Sequence, residues 1–316
     1  MPRRSRLLAS VATVLVAGLA LSGCAVPGEG SDEGTLTVYA TTGYLADAVA
    51  NIAPDAEVTT MVGPGGDPHT YQPSTRDFEK LRNADVVFWN GLHLEAQLIE
   101  LLQSLGNKQL AVGDQLQKSL LLQWPETDDA GNALYDPHIW NSPAAWSLVV
   151  GFIADKLSEL DPRNAATYAA NATRYQSEIG AAALEAERML ATIPAASRIL
   201  ITGHDAFNYF GAVYNLEVYA TDFVSTDAAL SPQELSNLAQ LIAQHRVPVI
   251  FQDNQANPQA ITSLKEAVHA LGWQVAVSDK ELFADSLGAD ADVDTYLKVF
   301  LHNARAVASA LGTVEQ

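Results

Sequence analysis

Twice along this 316-residue chain, short β-like runs alternate with helical patterns, and between the two series lies one long Ala-, Arg- and Glu-rich stretch, residues 161–192. Alternation of this kind builds parallel sheets with helices crossing over their faces. In the first series, 36–40, 57–62 and 85–90 read as strands and 44–52, 94–105 and 143–160 as helices, with a loop after residue 62. In the second, 198–202, 216–220, 248–252 and 273–277 read as strands, with helices over 206–214, 232–245, 258–271 and 293–311. A helix over 161–192 would span about 45 Å at 1.5 Å per residue, as long as a lobe. Asp161 offers its cap, Pro162 its first position and Ile193-Pro194 its stop. The expected fold class is α/β: two lobes with parallel sheets, 36–160 and 193–316, joined by a long rigid connector helix over 161–192.

The chain opens with Arg3, Arg4 and Arg6 before an apolar run, 7–21, too short for a confident membrane span. Such a start reads as an export signal over 1–23. Leu21-Ser22-Gly23-Cys24 resembles a bacterial lipobox, which would make Cys24 the lipidated first residue of the mature chain. Cys24 is the one cysteine, so no internal disulfide can form. The Gly-rich, polar stretch over 24–35 then reads as a flexible tether from the outer face of a cell membrane. With 18 basic against 37 acidic residues, a nucleic-acid partner is excluded.

Open α/β sheets present ligand-binding side chains on loops beyond the carboxyl ends of their strands. His69 follows the second strand through a Gly-rich turn, His204 follows the 198–202 strand almost directly, and Asp285 follows the 273–277 strand. His138 precedes Ser142-Pro143, a helix start. Two come from each lobe, and three His with one Asp can close a shell around zinc or a neighbouring divalent ion in the interlobe cleft. Each also has a structural reading: a turn cap for His69, core histidines for His138 and His204, a helix cap for Asp285.

The stretches Asp67-Pro68-His69-Thr70-Tyr71, Asn90-Gly91-Leu92-His93-Leu94-Glu95, Asp136-Pro137-His138-Ile139-Trp140, 204–210 and Asp285-Ser286-Leu287, in this order, resemble the zinc/manganese solute-binding proteins of ABC transporters, the ZnuA/TroA-like family. The resemblance runs from about residue 36 to 311. It implies no enzyme. It implies a monomer that captures Zn2+ or Mn2+ as transported ligand at His69, His138, His204 and Asp285 and delivers it to an ABC permease. Manganese-type members often carry Glu at the third position, so His204 tilts the cargo towards zinc, as does an N-rich shell. Two departures stand against that tilt: the segment 124–131 is short and lacks the His-rich loop of many zinc-type members, and Asp253 stands where a Glu is frequent.

His93 is an extra ligand candidate read first as a structural hydrogen-bonder, and His245, His269 and His302 read as surface residues of helices. Asp67, Asp136 and Asp205 flank the candidate ligands and are placed either to orient the rings or, for the first two, to start Asp-Pro turns. Two rivals remain open at this point. A secreted zinc hydrolase would keep one metal position for water, but neither His-Glu-x-x-His nor Gly-x-Ser-x-Gly occurs. A surface adhesin would hold its metal for structure only.

Overall fold

Strand β1 (Thr37–Ala40) lies inside a four-stranded parallel sheet, with β2 (Glu57–Thr60) on one side, β3 (Val86–Trp89) on the other and β4 (Gln109–Ala111) beyond β3. The order reverses at β1, the kind of place where open α/β sheets gather their binding loops, and Thr41, Thr42 and Asn90 lie buried just past the carboxyl ends of β1 and β3. This computed structural model describes residues 35–127, 131–222, 230–254 and 257–312; Cys24 and the export signal lie outside the described residues.

All four residues of β3 are buried, because helices cover both faces of the sheet. Alternate side chains sort accordingly: Val38, Ala40, Val86 and Phe88 pack with α1 (Gly43–Ile52), while Tyr39, Val87 and Trp89 pack with Leu81 and Leu102. Leu81 belongs to α2 (Thr75–Asn83), a helix in the stretch expected to be loop. Its start carries a capping box, with Ser74 Oγ accepting the Asp77 N–H and the Asp77 carboxylate accepting the Ser74 N–H. Only Leu81 of α2 is fully buried, which explains its weak apolar pattern. The expected 94–105 helix is a 3₁₀ turn, Ala96–Leu98, followed by α3 (Ile99–Ser104). A hairpin of β5 (Gln123–Thr127) and β6 (Ala133–Tyr135) also replaces expected loop.

Helix α4 (Pro143–Leu160) has its expected bounds, with Ser142 Oγ accepting the Ala145 N–H and proline in the first turn. The connector, α5 (Ala165–Leu190), starts later than expected. Asp161 caps the end of α4, and its Oδ2 accepts bonds from Asn164 Nδ2 (2.6 Å) and Tyr168 OH (3.0 Å), so 161–164 form the turn between the helices. At 1.5 Å per residue α5 spans about 39 Å. Tyr168, Ala172, Tyr175, Ile179, Ala182, Ala186 and Leu190 form its buried stripe.

In the second lobe β7 (Ile199–Thr202) pairs in parallel with β8 (Glu217–Ala220), which follows α6 (Asn208–Tyr214). Helix α7 (Pro232–His245) leads to β9 (Val249–Ile250), and α8 (Pro258–Ala270) to β10 (Ala276–Val277), which pairs in parallel with β9. The Phe251 N–H donates to the Ile201 carbonyl (2.8 Å), bringing the end of β9 beside β7. Ile201 packs with Leu238 and Leu264 of α7 and α8, while Leu200 faces the other way. Helix α9 (Tyr296–Leu311) returns to the connector, and one continuous apolar core runs from α1 through α4, α5 and α6 to α9. The result is a two-lobed α/β fold bound along one long helix. Among the described residues no helix is long and apolar enough to cross a membrane.

Candidate metal centre

The structure brings His69, His138, His204 and Asp285 together, with their nearest ligand atoms within 4.8 Å of one another. The loop after β2 carries His69. Its Gly65 needs a positive φ (72°), and a side chain on Gly66 would meet Val62 Cγ1 at 2.6 Å, so both glycines are required by the turn. The His69 N–H then donates to Asp67 Oδ1 at 2.8 Å. His138 lies between β6 and α4 with the same local bond, its N–H donating to Asp136 Oδ1 at 2.9 Å.

His204 follows β7 by two residues. Its N–H donates to Asp253 Oδ2 (2.8 Å), and its carbonyl accepts from Thr202 Oγ1 (2.8 Å). Asp285 lies between β10 and α9. The preceding carbonyl, of Ala284, accepts from Tyr44 OH (3.0 Å) and Trp140 Nε1 (2.9 Å), two aromatic donors of the first lobe.

Four donors that share a tetrahedral ion at 2.0–2.1 Å stand about 3.3–3.4 Å apart along each edge. His69 Nε2 lies 3.3 Å from His138 Nε2, which lies 3.1 Å from His204 Nε2. Asp285 Oδ2 is 3.5 Å from His69 Nε2 and 3.2 Å from His204 Nε2, and its Oδ1 is 3.3 Å from His138 Nε2. These five separations match those of an ion-sized shell. All four side chains are at most 2% exposed, so bulk water does not reach the donor atoms.

Electrostatics divide the imidazoles. Burial pushes the His69 pKa down to about 3, against the attraction of Asp285. Burial also opposes charge on His138, but Asp136 and Asp285 outweigh it and raise that pKa to about 10. His204 is raised too: burial works against it and Asp285 prevails. Asp285 is itself driven well below the carboxylate range, since His204 and His138 overcome its desolvation.

Of the expected orienting carboxylates, Asp136 fills the role directly: its Oδ1 lies 2.7 Å from His138 Nδ1, leaving Nε2 aimed inward. From the other lobe, Asn208 Nδ2 donates to Asp136 Oδ2 at 3.0 Å. Asp67 serves the turn, receiving the His69 N–H and the Thr70 hydroxyl (2.8 Å each). Asp205 is half-buried, and burial followed by Asp136 raises its pKa to about 6.

His93 is not part of the converging set, and its positive φ of 70° marks a turn residue. His245 and His269 are exposed as expected, whereas His302 is half-buried with Nε2 2.9 Å from the Glu281 carbonyl.

Sequence reasoning missed the carboxylate and amide that set the loops. Glu95, buried, accepts from Thr41 Oγ1 (2.6 Å) and the Asn90 N–H (2.8 Å), and burial raises its pKa to about 7. Asn90 Nδ2 in turn donates to the Pro137 carbonyl beside His138 (2.9 Å). The Asn90–Glu95 motif signals both residues, but only the fold shows what they hold. Asp253, noted as a departure from the resemblance, positions the backbone of His204.

The family model for "zinc-uptake complex component A periplasmic" (ZnuA) matches residues 38–310. The manganese-binding lipoprotein MntA of Bacillus subtilis is 33% identical over 306 residues, 95% of this chain and 98% of that protein. The zinc-binding protein TroA of Treponema pallidum is 34% identical over 283 residues, 88% of this chain and 90% of that protein. A solved structure of TroA superposes with a TM-score of 0.82 at 33% identity, covering 89% of this chain and all of the other. The chain therefore belongs to the ZnuA family, substrate-binding components of metal ABC transporters rather than enzymes.

Proposed function

We propose that this chain captures a divalent transition metal outside the cytoplasm, with zinc as the physiological cargo, and passes it to the permease of an ABC importer. Acting as a monomer held to the membrane through a lipid on Cys24, it would bind the ion with His69, His138, His204 and Asp285. Lobes 36–160 and 193–316 would meet at the ion, with 161–192 as the connector. The observation that carries the reading is the convergence of four buried donor atoms, two from each lobe, at the spacing of a single ion. Three imidazoles and one carboxylate suit zinc, whereas manganese favours more oxygen donors.

Manganese is the second reading. Asp285 turns both oxygens towards the imidazoles, offering a fifth donor, and a relative at 33% identity is named manganese-binding. Zinc outcompetes manganese at most nitrogen-bearing sites, so affinity measured in isolation cannot decide between them. Anaerobic purification from the native host followed by elemental analysis does. Zinc near one per chain supports the first reading; manganese at that level replaces it; neither metal removes both.

A further inference from the structure

Metal can leave a fully buried site only if its donors part, so the bonds that hold Asp285 against the His69 loop bear on release. Asp285 is flanked by Ala284 and Ser286, and one side chain, Asn254, grips both. Its Oδ1 accepts the Ala284 N–H at 2.9 Å, while its Nδ2 donates to the Ser286 carbonyl at 3.1 Å and to Ser286 Oγ at 2.6 Å. The Ser286 hydroxyl, 1% exposed, also accepts the Gly65 N–H at 3.0 Å. Gly65 stands in the positive-φ turn four residues before His69, in the first lobe, whereas Asn254 and Ser286 belong to the second.

A planar carboxamide suits this place, since it supplies an acceptor for the peptide before Asp285 and donors for the residue after it. An aspartate would set a second acceptor against the Ser286 carbonyl, which has no proton to give. Asn254 bonds the residues on either side of Asp285, and so bears on that donor through its backbone.

We propose that Asn254 is a positioning residue for metal retention: its carboxamide fixes the Asp285 carboxylate in the site and, through Ser286, links it to the His69 loop of the other lobe. The inference rests on the metal-binding reading above. Asn254 orients a donor, and the Ser286–Gly65 bond resists separation of the lobes; the two effects are separable.

The test uses the full chain loaded with zinc or, as a spectroscopic probe, with cobalt(II). Release into excess chelator is followed by stopped flow, and coordination by the visible bands of the cobalt form. Asn254→Ala is expected to release zinc about tenfold faster, the effect of losing one to two hydrogen bonds, and to change the cobalt bands. Ser286→Ala is expected to release it about threefold faster, with parental bands, because the donor geometry is kept and one bond across the lobes is lost. A role in folding alone would lower the melting temperature of the metal-free variants and leave both readouts parental, which overturns the proposal. Should Asn254→Ala not fold, a parental release rate in Ser286→Ala overturns it alone. A parent chain that takes up neither metal sinks the metal-binding reading, and this inference with it.

Discussion

The tripeptide Asp-Pro-His occurs twice at this site, at 67–69 and 136–138, and the two copies fold alike yet titrate in opposite directions. In each, the Asp Oδ1 accepts the N–H of the His two residues on, the local turn that the dipeptide Asp-Pro encodes. The second copy adds one contact: Asp136, 1% exposed, also meets the His138 ring at Nδ1. The first copy turns its other oxygen outward, to the exposed Thr70. Burial thus lowers the His69 pKa, while the carboxylates of Asp136 and Asp285 raise that of His138 against its own burial. Backbone turns are written in the tripeptide; ring charge is decided by what the fold packs against the carboxylate.

Removing the rings should break the likeness most strongly. On the proposed assignment, alanine at either position lowers zinc affinity by more than about 100-fold, beyond what loss of an outer partner costs. Metal-free stability should part them. His138→Ala strips a buried carboxylate of its cationic partner and is expected to cost about 3 kcal/mol. His69→Ala leaves no buried charge without a partner and should cost less, about 1 to 2 kcal/mol for the cavity alone. Chelator competition and urea unfolding of the metal-free forms read the two quantities. Equal losses of stability would show that the rings are alike after all.

Next in size is Asp136→Asn, which keeps the turn acceptor but loses the ring's charged partner; it should weaken zinc binding about 10- to 100-fold. It should also alter the pH response. In the parent, zinc must displace the His138 proton, so from pH 7 towards about 10 affinity should rise about tenfold per unit from this group alone. Metal-free stability should run the other way. The folded pKa lies above the unfolded one, so the contribution of His138 is complete below the unfolded value and lost as pH rises through about 10. Both slopes should flatten in Asp136→Asn. Titration calorimetry and melting curves across pH 7–10 check this, and unchanged slopes would free Asp136 of its part.

The same division between local and tertiary causes decides what could be read from sequence. Helices α4 and α7 kept their expected bounds because Ser142-Pro143 and the box Ser231-Pro232-Gln233-Glu234 announce a start in adjacent residues. Helix α2 has the same device in Ser74 and Asp77, but its apolar side chains are only Phe78, which is exposed, and Leu81, too few to draw a stripe. Strands β9 and β10 shrank to two residues each, since pairing depends on a partner that no local pattern reveals. The four candidate ligands were legible because each stands in a loop beside a strand or helix start. Asp253 and Glu95 were not, because their partners lie 49 and 54 residues away along the chain, at His204 and Thr41.

The smallest expected effect belongs to Asp67→Asn. An asparagine side chain keeps an oxygen to accept the His69 N–H, so the turn survives, and the lost charge faced a solvent-exposed hydroxyl. Stability should shift by no more than about 1 kcal/mol, since the half-buried side chain keeps its turn bond. Zinc affinity should change by less than about threefold and its pH slope by nothing measurable, since Asp67 serves the backbone and the slope belongs to His138. Chelator competition run beside Asp136→Asn makes the contrast internal: one chemical change at equivalent places in a repeated tripeptide. If the two variants weakened zinc equally, the carboxylates would act through the field of the whole cleft, and the single ring contact at Asp136 would not be what separates the copies.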